Sequence, residues 1–134
     1  MSVESLQAKS DCQDLVFRYA AALDNEAEAE ALSMWTEDGR IIRPDGSEIR
    51  GTDEIRGTIE GVPLKSFAPR VLTNVLITVT GDDTAKGFAY VSLPKRPKLE
   101  WHFEFRKVSS GWRISSQAGK LAPCADDVAS APAG

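Results

Sequence analysis

Apolar residues recur at three- and four-residue steps in the first part of the chain, a spacing typical of an amphipathic helix. This pattern predicts a first helix over residues 2–24. Its apolar stripe consists of Cys12, Leu15, Val16, Tyr19 and Leu23. After a polar break, Asn25 and Glu28 form a capping pair that predicts the start of a second helix. The inward positions of that helix are predicted to be Ala27, Ala31, Met34 and Trp35.

Turn-forming residues separate the second helix from a third. Residues 36–39 are predicted to form a turn, and residues 44–46 (Pro-Asp-Gly) predict a hairpin between residues 40–43 and 47–50. Thr52 is predicted to cap the third helix, whose buried pair is Ile55 and Ile59.

The second half of the chain predicts long strands joined by short turns, the pattern of an antiparallel meander. The strands are expected over residues 68–80, 84–93, 98–108 and 112–121. In the third of them, alternation places Leu99, Trp101, Phe103 and Phe105 on the inner face and His102 on the outer face. The first of these strands, residues 68–80, is apolar on both faces. This predicts that the helices cover its inner face and that a second copy of the chain covers its outer face.

These elements predict an α+β fold in which a cone-shaped, curved antiparallel sheet packs on three N-terminal helices around an apolar pocket. Residues 1–122 are expected to form a single domain. Residues 123–134, rich in Pro, Ala and Ser, are expected to form a flexible tail.

Composition narrows the possible functions. The 134 residues carry a net charge of −4, which argues against a nucleic-acid-coating protein, and the basic cluster at residues 95–98 is interpreted as a solvated loop. The two cysteines and the absence of a leader-like segment indicate a cytoplasmic protein with reduced thiols. No apolar run is long enough to span a membrane. His102 is the single histidine, and no metal-binding motif occurs, so neither a metal nor a cofactor is expected.

The order of several short segments resembles the nuclear-transport-factor-2-like superfamily, and within it the SnoaL-like group. The segments are residues 18–24 (RYAAALD), 35–39 (WTEDG), Gly51, 72–74 (LTN) and 111–115 (GWRIS). The group includes ketosteroid isomerases, polyketide cyclases, scytalone dehydratase and hexachlorocyclohexane dehydrochlorinase. The resemblance implies a usually dimeric α+β barrel with an apolar pocket, but no single activity.

The resemblance also suggests site residues. Tyr19 falls where ketosteroid isomerases keep an oxyanion-binding tyrosine, but their base position holds Arg43 and their second, acidic donor position holds Trp101. The aspartate of the dehydratase dyad matches Asp24, whereas Arg70 replaces its histidine. We therefore expect an Asp24–Arg70 ion pair within about 4 Å at the pocket wall. A solvated turn carboxylate at Asp24, an outward Arg70 and a structural Tyr19 are the alternatives.

Two functions follow as hypotheses. The first is a cofactor-free lyase or isomerase acting on a small apolar oxygenated molecule such as a steroid, terpenoid or polyketide. Asp24 would be the base, with Tyr19, Arg70 or Asn74 polarising the substrate. The second is a non-catalytic binding protein that captures a small apolar acid through Arg70 or Arg43. The remaining residues expected to bind the ligand are Trp35, Leu72, Asn74, Trp101 and Phe103.

Overall fold

The computed structural model describes residues 2–61 and 63–123, with the backbone alone at residues 64 and 65. The helices are α1 (Val3–Asp24), α2 (Glu28–Ser33) and α3 (Thr52–Gly61), followed by a short 3₁₀ helix (Leu64–Phe67). The strands are β1 (Trp35–Ile42), β2 (Glu48–Arg50), β3 (Val71–Val79), β4 (Thr84–Ser92), β5 (Leu99–Val108) and β6 (Gly111–Leu121). Except for residue 123, the predicted tail lies outside the described residues.

Helix α1 confirms the predicted apolar stripe. The Ser2 hydroxyl accepts a hydrogen bond from the Ser5 backbone N–H at 3.0 Å and so caps the first turn. The buried side of the helix carries every residue of the predicted stripe together with Ala8, Ala20 and Ala22. The small alanines allow the helix to approach the sheet closely, which brings Tyr19 to its inner face.

The prediction for the second helix was wrong in two respects. Helix α2 spans only Glu28–Ser33 and begins without a side-chain cap, because Asn25 ends α1 instead: its side-chain amide donates to the Ala21 carbonyl at 2.8 Å. Trp35 belongs to strand β1, not to the helix. The predicted turn at residues 36–39 is an irregular part of that strand, where the register with β6 shifts between Trp35 and Arg40.

The sheet has six strands in the order β2-β1-β6-β5-β4-β3. Strands β3 to β6 form the predicted antiparallel meander, and the predicted hairpin joins β1 to β2. Strand β1 pairs with β6 in parallel and so connects the helical half of the chain to the meander. The α+β architecture predicted from the sequence is therefore confirmed.

Two β-bulges decide which residues face inward. In β3 the register shifts between Thr73 and Leu76, and Asn74 takes a left-handed backbone conformation with φ of 54°. In β6 the register shifts so that Ile114 pairs with Phe105 but Ser116 pairs with Glu104. A bulge inserts one extra residue, which reverses the inward and outward positions beyond it and bends the strand. Both bulges therefore help to curve the sheet around the helices.

The predicted aromatic row of β5 lies inside. Trp101, Phe103 and Phe105 are buried, whereas His102 lies on the outer face and is half-buried. The helices cover the inner face, and the outer face leaves Val71 and Leu76 exposed. Among the described residues, no helix is long and apolar enough to cross a membrane.

Candidate functional site

A cavity of about 230 Å³ lies between the helices and the inner face of the sheet. Residues of α1, α3, the 3₁₀ helix and the sheet form its apolar walls. These residues are Leu23, Ile41, Ile59, Phe67, Leu99 and Trp101, together with Leu93 directly after β4. Polar atoms enter this lining from Tyr19, Thr58, Arg70 and Gln117. A concave, mostly apolar lining with a few polar groups is the usual form of a small-molecule site.

Tyr19 reaches the cavity from α1. Its ring packs edge-on against Trp35, with 5.9 Å between ring centroids, and lies 6.2 Å from Trp101. Burial raises the pKa of the phenol to about 12, although the Trp35 side chain and the Arg70 cation act in the opposite direction. Tyr19 therefore stays protonated at neutral pH and can donate a hydrogen bond into the cavity.

The predicted ion pair between Asp24 and Arg70 is present. Nη1 of Arg70 lies 2.6 Å from Oδ1 of Asp24, and the Arg70 backbone N–H donates to Oδ2 at 3.0 Å. The Arg70 side chain is 6% exposed and that of Asp24 is 21% exposed. Two contacts from one residue fix the carboxylate where α1 ends and β3 is about to begin. The guanidinium lines the cavity, and Asp24 holds it in place.

Several residues predicted to bind the ligand lie elsewhere. Asn74 is exposed because it is the left-handed bulge residue of β3, a conformation that asparagine tolerates better than most residues. Arg43 is exposed at the hairpin between β1 and β2, where its backbone pairs with Ser47. Neither side chain can contribute to the cavity.

Three apolar residues of the prediction lie in the core without lining the cavity. Trp35 is buried and supports Tyr19 from the side, while Phe103 stacks on Phe105 with 5.6 Å between centroids. Leu72 is half-buried and packs against the core. Among the apolar ligand-binding candidates, only Trp101 reaches the cavity.

Three residues of the cavity lining were not predicted from the sequence: Gln117, Thr58 and Phe67. Gln117 faces inward only because the bulge in β6 reverses the alternation after Ile114, so no local pattern identifies it. The basic loop predicted at residues 95–98 is exposed, and it also contacts a residue of the cavity lining. The guanidinium carbon of Arg96 lies 4.3 Å from the centre of the Phe67 ring, over a wall of the cavity.

The outer face of the sheet holds a groove of about 540 Å³. Its floor is partly apolar, with Ile42, Leu76, Phe88 and Ala118. His102 lies in this groove, with its Nε2 atom 2.9 Å from Oε1 of Glu100 and its ring edge-on to Phe88. It is therefore on the face of the sheet opposite the cavity. Across the described part of the chain, no group of three or more His, Cys, Asp or Glu residues is placed to hold a metal ion.

The curved sheet, the helical cover and the internal cavity define a class of α+β pocket proteins with the nuclear-transport-factor-2-like fold. Residues 4–117 match the SnoaL-like domain family, and the chain belongs to that family. No curated protein matches the chain.

Solved structures support the same fold. An NTF2-like protein with a cystatin-like fold from Novosphingobium aromaticivorans superposes with a TM-score of 0.76 at 20% identity, covering 92% of this chain and 88% of that one. A candidate scytalone dehydratase from the same organism superposes with a TM-score of 0.72 at 18% identity, covering 92% of this chain and 89% of that one. The LinA-type hexachlorocyclohexane dehydrochlorinase of Novosphingobium barchaimii superposes with a TM-score of 0.76 at 17% identity, covering 92% of this chain and 94% of that one. At these identities the likeness establishes the fold alone.

Proposed function

We propose that this chain is a cofactor-free lyase or isomerase that moves a proton on a small, mostly apolar oxygenated molecule, such as a steroid, terpenoid or polyketide. The observation that supports the proposal is a mostly apolar cavity lined by Tyr19 and Arg70, with Asp24 paired to Arg70 directly behind the lining. Two of the structural neighbours bear the names of a dehydratase and a dehydrochlorinase, and both names denote eliminations.

Each polar residue has a distinct role in the proposed reaction. Asp24 accepts a proton from a carbon of the substrate, using the second lone pair of one of its oxygens. In an elimination, the electrons of the broken C–H bond form a new double bond while the leaving group departs with its bonding electron pair. In an isomerisation, they move onto a substrate carbonyl oxygen, and Asp24 then returns the proton to another carbon of the substrate. Tyr19 donates a hydrogen bond to the oxygen or leaving group that gains negative charge, and Arg70 stabilises the same charge.

The test begins by identifying the ligand through native mass spectrometry of the purified protein. Elimination and isomerisation are then assayed on that compound and on hexachlorocyclohexane. Asp24→Asn keeps the shape of the side chain but removes its basicity, so turnover should fall by about 100-fold or more. Asp38→Asn, which alters an exposed carboxylate, is the matched control. Wild-type turnover in Asp24→Asn would refute the proposed role of Asp24.

Arg70→His provides a gain-of-function test of the same site. The histidine would stand beside Asp24 as a titratable base, as in the dehydratases and dehydrochlorinases that the sequence resembles. This variant should raise or create elimination activity. A folded variant with no elimination above the wild-type level on either compound would count against an elimination site.

A specific observation favours the second candidate, a non-catalytic binding protein. Both oxygens of Asp24 already accept hydrogen bonds from Arg70, and neither a carboxylate nor a histidine belongs to the described lining of the cavity. In that case Arg70 would orient the acid group of a small apolar ligand. The two candidates differ in one result, because a binding protein would release its ligand chemically unchanged.

We also propose that two copies associate through the outer face of the sheet. The exposed Leu76 and Val71 lie there beside the half-buried Phe88 and Tyr90, and apolar area of this kind is stabilised by removal from water. The groove is also lined by side chains of both charges: Arg40 and Lys86 are positive, and Glu104 is negative. A second copy related by a twofold axis would present the same self-complementary set.

A further inference from the structure

Gln117 is a buried polar residue whose side-chain amide has no hydrogen-bond partner among the described residues. It is 8% exposed and lines the cavity. Its neighbours across the sheet are Phe103 in β5 and Ile41 in β1. Within residues 2–61 and 63–123, no residue forms a hydrogen bond with its side-chain amide. The amide is therefore a polar point of the cavity separate from the Asp24–Arg70 pair.

A polar side chain at this position of a mostly apolar lining is unfavourable unless its amide finds a hydrogen-bond partner. A carboxamide offers two N–H donors and two acceptor lone pairs, and burying it without hydrogen bonds is unfavourable. A structural role would require a partner in the protein, and a purely apolar site would be better served by leucine or methionine. Contact with a group that enters the cavity explains both the burial and the missing partner.

We propose that Gln117 orients the ligand by hydrogen bonding to a second oxygen function on it, apart from the oxygen that meets Tyr19 and Arg70. This inference rests on the proposed use of the cavity and narrows the ligand class. The ligand is then a compact molecule with two oxygen groups, such as a hydroxyketone, rather than one with a single oxygen. A carboxamide both donates and accepts, so a hydroxyl or a carbonyl satisfies it equally well.

The test uses two probes of the same shape, para-hydroxyacetophenone and para-methylacetophenone, whose binding is measured by isothermal titration calorimetry. Gln117→Met replaces the amide with an unbranched apolar side chain of similar length. The variant should shift the ratio of the two affinities toward the methyl compound by about five- to tenfold. Ser116→Ala, at the next position but on the other face of the sheet, should leave the ratio unchanged.

A second measurement needs no ligand. Because no described residue is bonded to the amide, ligand-free Gln117→Met should unfold at the same urea concentration as the wild type or at a higher one. An unchanged affinity ratio, or a clear loss of stability in the ligand-free variant, would overturn the proposal. Neither measurement involves proton transfer by Asp24, so this inference and the proposed chemistry can fail separately.

Discussion

At the residue scale, the candidate site depends on one buried interaction between charged groups. A guanidinium that is 6% exposed needs a partner, and Asp24 supplies two contacts to Arg70. The pair presents a cation to the cavity while keeping the local net charge close to zero. It therefore has a structural effect that can be measured without knowing the ligand.

Arg70→Ala should lower the free energy of unfolding by about 2–3 kcal/mol, because Asp24 is left partly buried without its cation. Urea denaturation followed by circular dichroism measures the change. Arg106→Ala is the control, since it breaks an exposed pair with Asp38 that is also 2.6 Å long, and it should cost less than about 1 kcal/mol. An equal decrease in the free energy of unfolding in the two variants would show that burial does not increase the contribution of the Asp24–Arg70 pair to stability.

Tyr19 gives a second prediction at this scale. Its folded-state pKa is about 12, against about 10 in an unfolded chain. The folded protein therefore holds the phenolic proton more tightly. This contribution to stability is complete below about pH 10 and is lost as the pH rises toward about 12. Tyr19→Phe should lose less stability than the wild type over that interval in urea titrations. Parallel curves would contradict the burial of the phenol.

At the element scale, strand β1 packs so closely at Gly39 that a Cβ atom there would overlap neighbouring atoms. A Cβ atom at Gly39 would lie 2.7 Å from Cε3 of Trp35 and 3.3 Å from Cδ1 of Ile55. The irregular segment of β1 brings its backbone this close to α3 and to the tryptophan that supports Tyr19. The glycine is therefore required by close packing against Trp35 of the same strand and Ile55 of α3, rather than by its backbone angles.

Gly39→Ala should destabilise the protein by about 1–3 kcal/mol through overpacking. Gly57→Ala is the matched control within α3, where a Cβ would meet nothing within 4 Å. That variant should raise stability by about 0.5–1 kcal/mol, because alanine favours a helix over glycine. Thermal unfolding of both proteins measures the difference. A tolerated Gly39→Ala would mean that Trp35 moves without penalty.

At the scale of the whole molecule, the two faces of the sheet have different environments. The inner face is covered by the helices of the same chain, whereas Leu76 on the outer face is 64% exposed. Burying that face requires a second chain, which is the basis of the proposed homodimer.

Leu76→Asp should shift the protein toward the monomer, because a charge that the proposed interface buries loses its hydration. Sedimentation equilibrium at micromolar concentration would measure the mass of the associated species against 14.6 kDa for one chain. Leu6→Asp, at a leucine of α1 that is 54% exposed, should leave the association unchanged. A wild-type protein that sediments only as single chains would contradict the proposed interface.

The sequence by itself determined the parts of the fold that depend on local periodicity. The helical stripe from Cys12 to Leu23 places Tyr19 inward, and period-two alternation in β5 places Trp101 inward. Both signals come from strongly apolar side chains at regular spacing, so they hold wherever the element packs. The resemblance of short segments to a known family then supplied the pairing of Asp24 with Arg70, which lie 46 positions apart.

Only the tertiary structure decided the positions that depend on a remote strand. The bulge at Asn74 turns that residue toward solvent, and the bulge after Ile114 turns Gln117 into the cavity. Trp35 became part of a strand because β6 offers a parallel partner there. Register is fixed by hydrogen bonds to a neighbour far along the chain, and one extra residue reverses every position beyond it. Local alternation carries no information about that extra residue.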